Sequence, residues 1–268
     1  MAETNMLAAQ LGLRPVSNAS APCKICDGPA DLYGVVDMNR PCQITQASRA
    51  PLTGVPVYYR RCADCGFLFT DAFDDWSIEQ FKIHIYNDGY EAVDPDYRVK
   101  RPTDNAAAVA RFWAPHKAGM RVLDFGGGND VFCTNLRAHG FAEAVTYDPM
   151  VPEHATRPDG QFDLVTCFET LEHMPDPLAA IGAMAACVAE PGAVFYSTLT
   201  QPDDFDSQGM SWWYIGPRNG HISIYTKHAL ALAWHRFGFK TAPLNAGTHL
   251  AFRTLPEQWG LAEASGTA

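Results

Sequence analysis

The chain has 268 residues, 47% of them hydrophobic and 19% charged, with a formal net charge of -10. Such a composition suits a globular protein with one sizeable α/β core and a small accessory module, and its acidic balance argues against nucleic acid as a partner. No stretch reaches the roughly 18 apolar residues that cross a bilayer, and the opening Met1-Ala2-Glu3-Thr4-Asn5 has neither the basic nor the apolar region of a secretory leader. A soluble, cytoplasmic protein without membrane partners is expected.

Residues 1–20 read as an N-terminal arm whose first turn is helical and whose end, Arg14-Pro15-Val16-Ser17-Asn18-Ala19-Ser20, is a linker. Residues 21–70 are rich in Cys, Pro and Gly, with short β-like runs over 55–59 and 67–69, and are too few to hold a core without a staple. Two C-x-x-C pairs, Cys23 with Cys26 and Cys62 with Cys65, lie 35 residues apart. Four thiolates complete a tetrahedral zinc site and leave no position open to water, so the expected role is structural. Zinc binding of this kind contributes about 10 to 16 kcal/mol to folding. The remaining cysteines, Cys42, Cys133, Cys167 and Cys187, are scattered, which suits a reducing compartment, and Cys42 reads as a bystander.

Residues 71–104 form an acidic linker in which Tyr86, Tyr90 and Tyr97 are aromatic anchors; the alternative is a lid. Thr103-Asp104 then caps a helix over 105–116. From here strand and helix patterns alternate: strand 121–125, helix 129–139, strand 143–148, strand 162–168, a helix from Pro177 to 189, and a turn at Pro191-Gly192 into a strand through 199. An aromatic, Gly-rich substrate loop, 201–225, precedes a helix over 226–237 and strand-like runs at 239–244 and 248–254. The βαβ punctuation predicts a mostly parallel, Rossmann-like sheet with helices on both faces over 105–256, followed by a tail, 257–268.

The densest chemical signal is Val122-Leu123-Asp124-Phe125-Gly126-Gly127-Gly128-Asn129, a buried strand that ends in an acid and passes through three glycines into a helix. Such a turn brings a ligand against bare backbone. A dinucleotide loop needs a small residue where Val131 stands, and Asp130 beside it would repel a pyrophosphate. A nucleoside without phosphates fits better, and Asp148, 20 residues beyond Gly128 at the end of the next strand, stands where a carboxylate accepts from a ribose diol. S-adenosylmethionine is such a ligand.

These residues resemble the class I S-adenosylmethionine-dependent methyltransferases. Leu123-Asp124-Phe125-Gly126-Gly127-Gly128 is similar to their first motif and Tyr147-Asp148 to the acidic second. Phe162-Asp163-Leu164-Val165-Thr166-Cys167-Phe168-Glu169-Thr170-Leu171-Glu172-His173 is similar to the fourth-strand motif, and Glu190-Pro191-Gly192-Ala193 to the turn into the fifth. The resemblance implies that Asp124, Phe125, Gly126 and Gly128 hold the methionine end of the donor, Asp148 the ribose, and Phe168 and Glu169 the surroundings of the sulfonium. Glu172 and His173 would shape the same site. One departure is evident: only 14 residues separate Asp148 from Asp163, where the family has a helix and a third strand, so the adenine pocket must be abbreviated or built elsewhere.

A Gly-His-x-x-x-Tyr stretch, Gly220-His221 to Tyr225, together with the four-Cys module resembles the zinc-containing sugar methyltransferases that act on nucleotide-linked deoxysugars. Where those carry Tyr and Glu just before the His, Arg218 and Gly220 stand here, which argues against carbon methylation. His221 is the candidate base, the alternative being a histidine that only packs its loop. Trp212, Trp213 and Tyr214 are a candidate aromatic wall for the acceptor, with Arg218 and Asn219 as candidate polar contacts. The expected function is methyl transfer from S-adenosylmethionine to a hydroxyl or adjacent carbon of a small metabolite, sugar or sugar-nucleotide-like, in natural product or glycan biosynthesis. A lipid headgroup or quinone acceptor and a non-catalytic binding module are the rival expectations.

Overall fold

The computed structural model describes residues 10–43 and 51–261, so the helical first turn expected in the arm and most of the C-terminal tail lie outside the described residues. Among the described residues eleven strands follow in chain order: β1 (Ala21–Pro22), β2 (Pro29–Asp37), β3 (Pro56–Cys62), β4 (Leu68–Phe69), β5 (Arg121–Phe125), β6 (Glu143–Tyr147), β7 (Phe162–Cys167), β8 (Val188–Ser197), β9 (Ser223–Ile224), β10 (Lys240–Pro243) and β11 (Thr248–Phe252). They form two sheets, one in each of two units. One unit comprises residues up to Pro95 with Leu171–Leu178 and Leu199–Ala233; the other comprises Asp96–Thr170, Ala179–Thr198 and the chain from Trp234 on.

The second unit is the Rossmann-like part. Its sheet has the order β10-β11-β8-β7-β5-β6. The four strands from β8 to β6 are parallel, as the βαβ punctuation predicts, and β11 and β10 add antiparallel at the other edge. The runs in β5 and β7 are apolar and nearly continuous, which suits strands buried on both faces, and these two take the centre. Between β6 and β7 the chain makes only a 3₁₀ turn, Pro152–His154. Fourteen residues cannot hold a crossover helix and another strand, so among the described residues the sheet ends at β6.

Three boundaries differ from the sequence reading. The first helix of this unit runs Lys100–Phe112 and begins at Val99 without a side-chain cap, so Thr103-Asp104 lie inside it. Pro102 sits in its first turn, where a missing N–H costs nothing, and Asp104 instead pairs with Lys100 at 3.0 Å. The next helix begins at Val131 rather than 129. The turn foreseen at Pro191-Gly192 is a bulge within β8: Phe162 pairs with Val188 but Leu164 with Ala193, so residues 189–192 leave the ladder.

The core of this unit gathers Trp113, Val122, Phe132, Leu136, Leu164, Phe195, Leu250 and Trp259. Trp113 lies at its centre, edge-on to Phe195 at 5.0 Å and to Trp259 at 5.8 Å.

The first unit is an antiparallel sheet, β1-β2-β3-β4-β9. Its last strand comes from the stretch read as a substrate loop of the α/β domain, through the pairs Leu68–Ile224 and Phe69–Ser223. A two-residue ladder carries too little periodicity to be seen in sequence. Arg60 is buried and satisfied: its guanidinium donates to the carbonyls of Ala19 and Ser17 and to Asp71. Lys24 likewise donates to the carbonyls of Thr70 and Pro175 and pairs with Asp74. Among the described residues no helix is long and apolar enough to cross a membrane.

Trp113→Ala is expected to cost about 3 to 5 kcal/mol of stability, read as a lower urea midpoint; a change below about 1 kcal/mol would show that this residue does not anchor the core.

Candidate functional site

β5 and β6 run parallel in register, with Asp124 opposite Thr146 and Phe125 opposite Tyr147. The glycine bend and Asp148 therefore leave the sheet at the same end, the carboxyl end, where α/β sheets bind ligands. The N–H groups of Gly126 and Gly127 donate to the Tyr147 carbonyl at 2.8 and 3.3 Å. Gly128 N–H donates to Asp148 Oδ2 at 2.9 Å, and Asp148 Oδ1 accepts from Met150 N–H at 2.7 Å. A carboxylate has about four acceptor positions, so two bonds fix Asp148 and leave capacity for a ligand diol. A Cβ on Gly127 would lie 2.2 Å from Asp124 Oδ2, whereas nothing lies within 4 Å of one on Gly128, whose φ is +60°. The bend is closed on the sheet side and open at its tip.

Asp130 does not present a bare charge: it takes hydrogen bonds from Thr134, Thr146 and Arg137. At the end of β7, Glu169 adopts φ +48° and is clamped by Ser197, whose Oγ accepts from Glu169 N–H at 2.9 Å and donates to Glu169 Oε1 at 2.7 Å. Phe168 packs edge-on between Phe132 and Phe195.

In the other unit Cys23, Cys26, Cys62 and Cys65 bring their sulfurs within 4.8 Å of one another. Cys23 and Cys65 are 3.6 Å apart and Cys26 and Cys62 3.4 Å. The two loops repeat one geometry. Cys23 N–H donates to the Gly28 carbonyl and Cys62 N–H to that of Phe67; Asp27 N–H donates to the Cys23 carbonyl and Gly66 N–H to that of Cys62. Asp27 and Gly66 both have left-handed backbones. Ile25 N–H points at Cys23 sulfur and Cys65 N–H at Cys62 sulfur. The hydrogen bond from Cys65 holds the Cys23 thiol down to about 5.

The same unit contains a buried polar cluster around His221. His221 Nδ1 lies 2.8 Å from the Tyr214 carbonyl oxygen. A carbonyl can only accept, so the proton is on Nδ1, and Nε2 is the nitrogen with the acceptor lone pair. Tyr214 hydroxyl donates to Glu172 Oε1, and Leu199 N–H donates to the same hydroxyl at 3.2 Å. Glu172, His173 and His221 bring ligand-type atoms within 4.8 Å of one another. In the chain only Thr170 and Leu171 separate Glu172 from Glu169.

Of the acceptor candidates, Trp212 is buried against Phe205 and Tyr214, Tyr214 is buried, and Trp213 is 47% exposed. Arg218 donates to the Ile85 carbonyl at 2.8 Å and to Asn87 Oδ1 at 3.3 Å, with its guanidinium over the Tyr90 ring. Asn219 accepts from Cys42 N–H through Oδ1 and from Tyr90 hydroxyl through its carbonyl. Arg218, Asn219 and Tyr90 thus hold one another, and Tyr86 stacks edge-on to His173. The sequence reading missed Cys42, whose sulfur is 3.2 Å from His221 Nδ1; an isolated cysteine so far from that histidine in the chain gives no motif.

A parallel sheet whose first strand ends in this glycine bend, with an acid at the tip of its neighbour, defines a Rossmann-like methyltransferase fold. The chain belongs to the methyltransferase-domain family, whose model matches residues 97–244. Among curated relatives, a ubiquinone biosynthesis O-methyltransferase of Bordetella bronchiseptica is 36% identical over 107 residues, 31% of this chain and 44% of that protein. Its counterpart in Escherichia coli is 32% identical over 117 residues, 35% of this chain and 46% of that protein. The matched stretch thus spans less than half the length of these relatives. Among solved structures, an O-methyltransferase family protein from Burkholderia thailandensis matches with a TM-score of 0.50 at 16% identity, covering 66% of this chain and 62% of that one. Mitomycin 7-O-methyltransferase matches with a TM-score of 0.50 at 13% identity, covering 67% and 61%. At these identities the structures show the shared fold.

Asp124 is wholly buried, and loss of hydration pushes its carboxyl from 3.8 up to about 7, the Thr166 hydroxyl acting against the shift. Because the folded state then holds a proton that the unfolded chain releases, this group's contribution to stability is full below about pH 4, is lost as pH rises through about 7, and is level above. Melting temperature is expected to fall more steeply over that window in the wild type than in Asp124→Asn; equal slopes would contradict the shift.

Proposed function

We propose that the protein transfers a methyl group from S-adenosylmethionine to a hydroxyl of a small metabolite. The observation that carries this reading is the glycine bend closed by Asp148: a tip open to a ligand, beside a carboxylate with unused acceptor positions. Residues 124–128 would hold the methionine end of the donor, Asp148 its ribose hydroxyls, and Phe168 and Glu169 the surroundings of its sulfur. When bound, the donor supplies a methyl group already activated by positive charge. His221 is the candidate general base through Nε2, with the Tyr214 carbonyl accepting from Nδ1–H and so able to steady an imidazolium.

The names of the curated relatives support oxygen as the methylated atom. Arg218 donates its guanidinium to Ile85 and Asn87, which lowers its value as a partner for a sugar-nucleotide phosphate, whereas the exposed ring of Trp213 suits a flat acceptor. A phenol or quinone precursor therefore stands ahead of a sugar. Incubation with methyl-labelled donor and a panel of phenols, catechols and sugars tests this, label in a phenolic ether being the expected result.

The four cysteines fit a structural zinc. Tetrahedral Zn–S bonds of about 2.3 Å place sulfurs about 3.8 Å apart, near the observed 3.4 and 3.6 Å. All four positions are thiols, so the ion would staple the small sheet and take no part in the reaction. One zinc per chain is expected by elemental analysis, and its release by a mercurial should lower the melting temperature sharply; metal-free protein of equal stability would contradict the assignment.

A second reading is favoured by the proximity of Glu172, His173 and His221. A divalent cation on those residues would polarise the acceptor hydroxyl, with His221 as ligand instead of base. Activity lost to a mild chelator and restored by magnesium or manganese would select this reading; activity indifferent to the chelator selects the base. In that case His221→Asn should lower kcat by about a hundredfold with little change in KM for the donor.

A further inference from the structure

Residues 40–42 lie against residues 210–221 and are joined to them by several hydrogen bonds. The Arg40 guanidinium donates to the carbonyls of Met210 and Trp212, and the Arg40 carbonyl accepts from Arg218 N–H at 3.1 Å. Cys42 N–H donates to Asn219 Oδ1 at 2.8 Å. The Cys42 sulfur is 3.4 Å from the Tyr214 carbonyl and 3.2 Å from His221 Nδ1. Cys42 and His221 are each 7% exposed, so these contacts form where water does not compete. The approach is close enough that a Cβ on Gly216 would lie 2.6 Å from the Cys42 sulfur and 2.7 Å from its nitrogen.

We propose that Cys42 is a positioning residue for His221. Two acceptors, the Tyr214 carbonyl and the Cys42 sulfur, converge on the Nδ1 proton and hold the imidazole in one tautomer and one rotation, presenting Nε2 in the same direction at all times. While the ring is held there the other tautomer is disfavoured, since a carbonyl 2.8 Å from a bare Nδ1 lone pair is repelled by it and the Cys42 S–H is directed at the same carbonyl. Without the sulfur the ring is free to turn away and that preference relaxes. Arg40 and Asn219 set the strap at the height this requires. The sulfur's role is that of the orienting group behind a catalytic histidine, filled here by a thiol instead of a carboxylate. The functional consequence rests on the reading of His221 as the residue that meets the acceptor; the tautomer claim does not.

The test uses full-length protein carrying Cys42→Ala and Cys42→Ser. In ¹⁵N-histidine-labelled protein, long-range ¹H–¹⁵N spectra are expected to show His221 wholly Nδ1-protonated in the wild type. The alanine variant should show a mixture and the serine variant an intermediate state. With an accepted substrate, Cys42→Ala should lower kcat about ten- to a hundredfold with KM for the donor unchanged, and Cys42→Ser should recover part of it. A His221 tautomer and kcat indifferent to both substitutions would overturn the proposal. If instead the tautomer shifts but His221→Asn retains full kcat, the positioning stands and the assignment of His221 to the reaction fails.

Discussion

The hydrogen bond from Gly128 N–H to Asp148 joins the glycine bend to the acid at the tip of the neighbouring strand, the two features on which the proposed donor site rests. It exists because β5 and β6 are parallel neighbours in register, so that a bend at the end of one strand meets an acid at the end of the other. The bend needs glycine, since Gly126 and Gly128 take φ of +74° and +60° and a side chain at Gly127 would strike Asp124. Backbone geometry, strand pairing and a buried acid thus converge on one open tip. The helix that follows begins at Val131, after the glycine amides have been bonded to the Tyr147 carbonyl and Asp148, and Asp130 is occupied with its own helix and with Thr146 instead of facing outward.

The other unit solves a different problem. Its sheet is small, two of its strands are only two residues long beyond the first, and it contains a buried arginine and a half-buried lysine held by backbone carbonyls. Paired knuckles with the same hydrogen-bond pattern suit an ion at the edge of such a sheet. This unit also contains the entire His221 environment: the strap at residues 40–42, the segment bearing Tyr214 and Asn219, and Glu172 with His173. The four cysteines and the surroundings of His221 therefore lie in one folded body, in which a β-like N-terminal stretch and a loop distant in sequence are linked by the β4–β9 ladder.

Legibility in the sequence followed from how local each signal is. The apolar runs of β5 and β7, the glycines after Asp124 and the C-x-x-C spacings are each contained within a dozen residues, and each corresponds to an observed feature. The missing helix and strand after Asp148 were legible too, because chain length alone forbids them. Helix starts were less so: Pro102 tolerates the first turn as readily as Thr103 caps it, and pattern does not choose between them. The grouping of residues 199–233 with the N-terminal stretch was hidden, since Ser223-Ile224 is too short to show a period. The partners of His221 were hidden for a related reason. Cys42 and Glu172 meet it only through tertiary packing, and the guanidinium of Arg218, which looked like a ligand contact, is satisfied by the Ile85 carbonyl and Asn87.

The most direct measurement is calorimetric titration of S-adenosylhomocysteine into the intact protein and into Asp148→Ala. Saturable binding with one site per chain, weakened by roughly a hundredfold or more in the variant through loss of two charge-assisted hydrogen bonds, is the expected outcome. No binding to the wild type, or equal affinity in both proteins, would contradict the assignment of the glycine bend and Asp148 to the methyl donor.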